Sequence, residues 1–131
     1  MKKILFVCER NEGRSQIAEA SFRHYAKGKA QASSAGMHFA SYIDHTVVQA
    51  MKEKGIDLSY KRPKLTTLEM LGVADRVITM GCGGASICPG TYVPTEDWEV
   101  ENPVGQPIER VRAIRDEIEV KVKKLLEEIS G

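Results

Sequence analysis

The chain has 131 residues, one domain's worth of sequence and enough to bury an apolar core without a disulfide or metal staple. Hydrophobic residues at 42% and charged residues at 28% argue against wholesale disorder, and a formal net charge of +1 leaves no global positive field to gather nucleic acid. The apolar run Ile4 to Cys8 is far too short to span a membrane and no small-residue cleavage site follows it, so a cytoplasmic protein with neither membrane nor nucleic-acid partner is expected.

Ile4-Leu5-Phe6-Val7 reads as a strand buried on both faces, as in a parallel sheet. It stops at Cys8, and after a polar loop a helix is predicted from near Ser15, with Ile17, Ala18, Ser21, Phe22 and Tyr25 on one side and Gly28 beyond its end. Gln31 to Ser34 is a weak second strand leading into Ala35-Gly36. Asp44 caps a helix carrying Val47, Val48 and Met51 and closed by Gly55, and Thr66 to Leu71 suits a short helix. Arg76 to Met80 is the next strand, breaking at Gly81 before an irregular excursion to residue 96, and Trp98 to Val100 is read as a short fourth strand. Pro107 opens a final helix whose Ile108, Val111, Ile114, Ile118, Val122, Leu125 and Ile129 recur at intervals of three and four. The alternation of strands and helices predicts an α/β fold with a parallel sheet and helices on both faces. With no internal repeat or linker, residues 1–131 form a single domain in this reading.

The informative segment is Cys8-Glu9-Arg10-Asn11-Glu12-Gly13-Arg14-Ser15, a cysteine and an arginine separated by five residues between a buried strand and a helix. A loop there can turn its backbone N–H groups inward as an anion-binding nest, to which the helix N-terminus adds partial positive charge. Residues 9 to 14 (Glu9, Arg10, Asn11, Glu12, Gly13 and Arg14) would then bind a tetrahedral oxyanion, with the Arg14 guanidinium as a bidentate clamp. The same donors favour the Cys8 thiolate, and Ser15 can give the sulfur a further hydrogen bond. A thiolate beneath a bound oxyanion is a nucleophile aimed at its central atom. A nucleotide-binding loop is the competing cradle, but it requires Gly-Lys-Ser/Thr, which is absent here. Glu9 and Glu12 would oppose anion capture if they pointed inward and are expected to face solvent, with Arg10 offsetting them.

This segment, with Ser34-Ala35-Gly36, Gly55-Ile56-Asp57-Leu58-Ser59, Val77-Ile78-Thr79-Met80, Trp98 and Asn102-Pro103-Val104-Gly105, resembles the low-molecular-weight protein tyrosine phosphatase superfamily, and within it the thioredoxin-coupled arsenate reductases. The resemblance covers almost the whole chain and implies a three-layer fold, a central four-stranded parallel sheet flanked by helices. In the phosphatases an Asp-Pro followed by paired tyrosines supplies the general acid and the aromatic walls. Here that stretch reads Asn102-Pro103-Val104-Gly105, and an amide cannot act as a general acid. Neighbouring Glu101 is not expected to substitute for it, because adjacent side chains on an extended segment diverge.

The three cysteines of the chain match the reductases' nucleophile (Cys8), first resolving thiol (Cys82) and second resolving thiol (Cys88). The last two lie in a glycine-rich stretch, which suits thiols that must move to within bonding distance of one another. Zinc or inert packing are the competing roles for the pair, but five intervening residues without a nearby fourth ligand fit tetrahedral zinc poorly. The resemblance thus implies arsenate reduction through a Cys8/Cys82/Cys88 disulfide cascade, with Arg14, Ser15 and Asn102 in the site. It also implies no bound metal or cofactor, and an external dithiol reductant, thioredoxin or a similar donor, acting on a monomer. Phosphomonoester hydrolysis through a Cys8 phosphoenzyme and a non-catalytic oxyanion or redox sensor are the alternatives. His24, His38 and His45 lack ligand spacing and are read as surface residues, Lys61, Arg62 and Lys64 as solvated loop charge, and Trp98 as a packing anchor.

Overall fold

In the computed structural model, which describes residues 1–81 and 93–130, the first apolar run becomes β1 (Lys3–Cys8), the second strand of a four-stranded parallel sheet. β2 (Gln31–Gly36) lies on one side of it, with Lys3 opposite Gln31 and Cys8 opposite Gly36. β3 (Arg76–Thr79) lies on the other, with Val7 opposite Thr79, and β4 (Glu96–Asp97) completes the order β2-β1-β3-β4. The connections run through α1 (Arg14–Ala26), α2 (His45–Lys52) and α3 (Leu68–Val73), and α4 (Ile108–Ser130) closes the chain.

β1 is buried from Ile4 to Cys8 because its two sets of alternate side chains enter two different cores. Ile4, Phe6 and Cys8 join Ile17 and Phe22 of α1, Val47, Ala50 and Met51 of α2 and the apolar stripe of α4. Phe6 packs edge-on against Phe22 at 5.9 Å between ring centroids. Leu5 and Val7 face the other way, onto Ala35, Val77 and Leu71 of α3. The helix ends follow the sequence reading: Asp44 Oδ1 accepts from the N–H groups of Thr46 and Val47, and the Pro107 carbonyl accepts from the Val111 N–H. α1 ends with Lys27 and Gly28 in left-handed conformation, at φ 50° and 83°.

The fourth strand departs from expectation. The ladder is made by Glu96–Asp97, not by Trp98 to Val100. The ladder ends where β3 does: the Trp98 N–H donates its last bond to the Thr79 carbonyl at 2.7 Å, and the Thr79 hydroxyl bonds Asp97 Oδ1 at 2.7 Å. The apolar residues that suggested a strand serve packing instead, Trp98 against Phe6 at 5.7 Å and Val100 in the core.

The end of α2 is tied to α4 by charge. The Glu53 carboxylate receives the Arg112 Nη2 at 2.7 Å and the Arg115 Nη1 at 2.8 Å, and Arg115, itself buried, also donates to the Ala50 carbonyl. These guanidinium donors, Arg112 foremost, hold the Glu53 carboxyl at about 2 instead of 4.5. A depressed carboxylate contributes stability above its unfolded-state pKa and loses it as pH falls through the folded one. The stabilisation from Glu53 is therefore complete above about pH 4.5 and gone by about pH 2. In urea unfolding, Glu53→Gln is expected to lower the midpoint at pH 7 and to converge with the parent near pH 2; a gap that stays constant with pH would contradict the ion-pair assignment.

Candidate active site

Between the end of β1 and the start of α1 the backbone has to reverse within five residues, and Asn11 makes this possible. It is fully buried and left-handed, at φ 56°, a conformation costing an ordinary L-residue roughly 1–2 kcal/mol. Its side chain holds it there. Asn11 Oδ1 accepts from Gln16 Nε2 and from the Lys64 N–H, both at 2.9 Å, while Nδ2 donates to Ser15 Oγ at 2.7 Å and Ser34 Oγ at 3.0 Å. Gly36 lets β2 come close enough to join in: a β-carbon there would lie 2.6 Å from the Arg10 carbonyl carbon and 2.7 Å from the Asn11 nitrogen.

The Cys8 sulfur sits inside this frame, buried and free. It accepts from the Asn11 N–H at 3.2 Å and lies 2.9 Å from Ser15 Oγ. Ser15 Oγ accepts from Asn11 Nδ2 on its other side, which leaves its single proton available to the sulfur. The Asn11 N–H and the Ser15 hydroxyl thus converge on Sγ. On the far side of the frame, Ser34 Oγ donates to Glu19 Oε1 at 2.5 Å, and the other oxygen of that buried carboxylate pairs with Lys61 and Arg23, each at 3.1 Å.

At its open end, the cradle meets the N-terminus of α1. No side chain caps this helix and no acidic residue occupies its first turn, which keeps its leading N–H groups and positive dipole end for a ligand. Arg14 begins the helix, and its Nη1 donates to the Val100 carbonyl at 3.2 Å. Its Nε is buried with no hydrogen-bond partner among the described residues. A buried donor without a partner is costly, and a tetrahedral anion would satisfy it.

The other sequence-derived residues are placed as follows. Glu9 and Glu12 are half-buried, less exposed than expected, and Arg10 offsets Glu12 as an ion pair at 3.5 Å. Asn102 is exposed, and its Oδ1 accepts from the Val104 N–H at 3.1 Å in a tight turn. The next residue, Pro103, packs on the cradle: a β-carbon at Gly13 would lie 3.1 Å from its Cγ. Glu101 is engaged by Arg110, which holds its carboxyl below the usual range, so it is a poor proton donor. Cys82 and Cys88 lie outside the described residues. His24, His38 and His45 are exposed, and among the described residues no cluster of His, Cys, Asp and Glu is arranged to hold a metal. Nor is any described helix long and apolar enough to cross a membrane.

Lys61 corrects the reading of its loop as solvated charge, since it is committed to Glu19. Glu19 and Ser34 were missed as parts of the frame. The signal for Glu19 was its place on the stripe Ser15, Glu19, Phe22, Ala26, which points a carboxylate inward.

The profile of the family described as Low molecular weight phosphotyrosine protein phosphatase matches residues 3–131. The chain belongs to this family. It is 35% identical to a glutaredoxin arsenate reductase of Synechocystis over 133 residues, covering 99% of this chain and 100% of that one. A solved arsenate reductase in the phosphate binding state superposes with a TM-score of 0.85 at 33% identity, covering 98% of this chain and 99% of that one. A thioredoxin-dependent arsenate reductase from Corynebacterium glutamicum matches with a TM-score of 0.78 at 34% identity, over 99% of this chain and 62% of that longer one.

Ser15 is placed to give its proton to the Cys8 sulfur. A hydrogen bond to a charged group contributes roughly 1.5–3 kcal/mol, about tenfold or more in an equilibrium. Ser15→Ala is expected to slow alkylation of Cys8 by iodoacetamide at pH 7 by about that factor while leaving far-UV circular dichroism unchanged. An unaltered alkylation rate would mean that the serine proton points elsewhere.

Proposed function

We propose that this chain reduces arsenate to arsenite, with Cys8 as the nucleophile, Cys82 and Cys88 as the thiols that carry the disulfide away, and a thioredoxin-type dithiol protein as the electron source. The carrying observation is the Cys8 sulfur held by the Asn11 N–H and the Ser15 hydroxyl beneath an uncapped helix N-terminus, in a chain with two further cysteines. The arsenate reductases among its relatives support the same reading, and one of them is named for glutaredoxin as donor, another for thioredoxin. Arsenate occupies the loop amides of residues 9 to 14 with Arg14 as clamp. Cys8 attacks arsenic, a sulfur–arsenic bond forms, and one oxygen leaves as water after taking up protons. Cys82 then attacks the Cys8 sulfur; the sulfur–arsenic bond breaks, its electron pair stays on arsenic, and arsenite departs. The Cys8–Cys82 disulfide is exchanged by Cys88, which frees Cys8, and two electrons from the external dithiol reduce the Cys82–Cys88 bond. A reducing compartment, the cytoplasm, keeps such thiols available, and the enzyme acts there as a monomer.

Turnover of arsenate with a thioredoxin system tests this directly. Cys82→Ser is expected to lose multiple turnover by at least about a hundredfold, because without a resolving thiol the adduct is not released. Turnover equal to the parent's would overturn the mechanism.

A second reading, phosphomonoester hydrolysis, is favoured by the same cradle and by the family's phosphatase description. What the cradle lacks for it is the acid: Asn102 cannot protonate a leaving group, and Glu101 is held ionised by Arg110. General acid catalysis contributes roughly 10²–10⁴-fold. Asn102→Asp is therefore expected to raise hydrolysis of an aryl phosphate by at least about tenfold, read as kcat at pH 5 to 6. An unchanged rate would place the acid elsewhere.

A further inference from the structure

Among the described residues, Arg14 is fixed by contacts at one end of its guanidinium. Nη1 donates to the Val100 carbonyl at 3.2 Å, and the same end of the group lies against the backbone of Gly81. A β-carbon at position 81 would be 2.7 Å from Nη1, 3.4 Å from Cζ and 3.5 Å from Nη2, so the bare α-carbon forms one wall of the guanidinium's seat. Gly81 is also left-handed, at φ 87°, where L-residues are strained.

We propose that Gly81 is the positioning residue for Arg14: its missing side chain and the Val100 carbonyl hold Nη1 at the rear, leaving the edge formed by Nε and Nη2 for the oxyanion. A guanidinium binds a tetrahedral anion best through two parallel N–H bonds from one edge, and rotation of the plane forfeits one of them. The buried Nε, unpartnered among the described residues, belongs to the edge left over. Beyond the backbone strain at φ 87°, the nearest described atoms a β-carbon at 81 meets belong to the far end of a flexible arginine, which can swing away. The damage therefore falls on anion binding more than on folding. The contact also has a place in the reaction, because Gly81 immediately precedes Cys82 in the chain.

This inference rests on the oxyanion reading of the cradle, and the two can fail separately. Protection of Cys8 from iodoacetamide by inorganic phosphate reports phosphate affinity without turnover. Gly81→Ala and Gly81→Asn are both expected to weaken protection by about tenfold or more, the factor for one lost charge-assisted hydrogen bond. Asparagine tolerates positive φ, so Gly81→Asn is expected to melt above Gly81→Ala yet to bind phosphate no better. In an Arg14→Lys background, where no guanidinium remains to be displaced, Gly81→Asn should change protection less than about twofold. Phosphate affinity like the parent's in Gly81→Asn, or an equal loss in both backgrounds, would overturn the proposal. Should Arg14→Lys alone bind phosphate as the parent does, the oxyanion reading itself fails. If neither position-81 variant folds, NMR of the parent's arginine side chains decides. Slow rotation of the Arg14 guanidinium without phosphate supports the seat, and free rotation refutes it.

Discussion

One amide side chain governs the geometry of the site. Asn11 uses both hydrogens and both lone pairs of its carboxamide at once, on Ser15, Ser34, Gln16 and the Lys64 backbone. That saturation is what keeps a non-glycine residue left-handed at the turn of the loop, and the turn in turn brings the Asn11 N–H to the Cys8 sulfur. The same amide also orders the serine hydroxyl that touches the sulfur, donating to its oxygen from the other side. Nucleophile, loop and helix start are therefore one hydrogen-bonded unit, not three features that happen to adjoin.

The sheet supplies the rigid backing. β1 is paired on both sides and buried on both faces, so the carbon bearing the sulfur cannot retreat without breaking ladders to β2 and β3. α1 begins six residues after Cys8 and points its dipole at the same place. Arg14 adds a full positive charge to the cradle, and its setting between Val100 and Gly81 belongs to the other half of the chain. The strand–loop–helix unit is local, whereas the aim of the guanidinium depends on residues far away in sequence.

Much of this was legible from the residues. The apolar run ending at Cys8 and the helix start near Ser15 each have a local physical meaning, and each is found where its chemistry puts it. The long α4 was equally plain, since its apolar stripe repeats through six turns. What was not legible depended on distant partners. Trp98 and Val100 looked like a strand because burial and strand pairing leave the same apolar mark, and the end of β3 at Thr79 separates the two. Lys61 looked like solvated charge because nothing nearby in sequence discloses the buried Glu19 it neutralises. Gly81 read as a strand terminator, and its contact with Arg14 spans 67 positions that no local pattern bridges (81 − 14).

The Glu19 carboxylate bears on how this protein can diverge. It is held by cations from two separate segments, Arg23 one turn along the helix and Lys61 from the loop after α2. Losing the carboxylate leaves two cations without their shared partner, whereas losing either cation leaves the other on the same oxygen. Position 19 is thus the fixed point of this network, while positions 23 and 61 are redundant and can change one at a time.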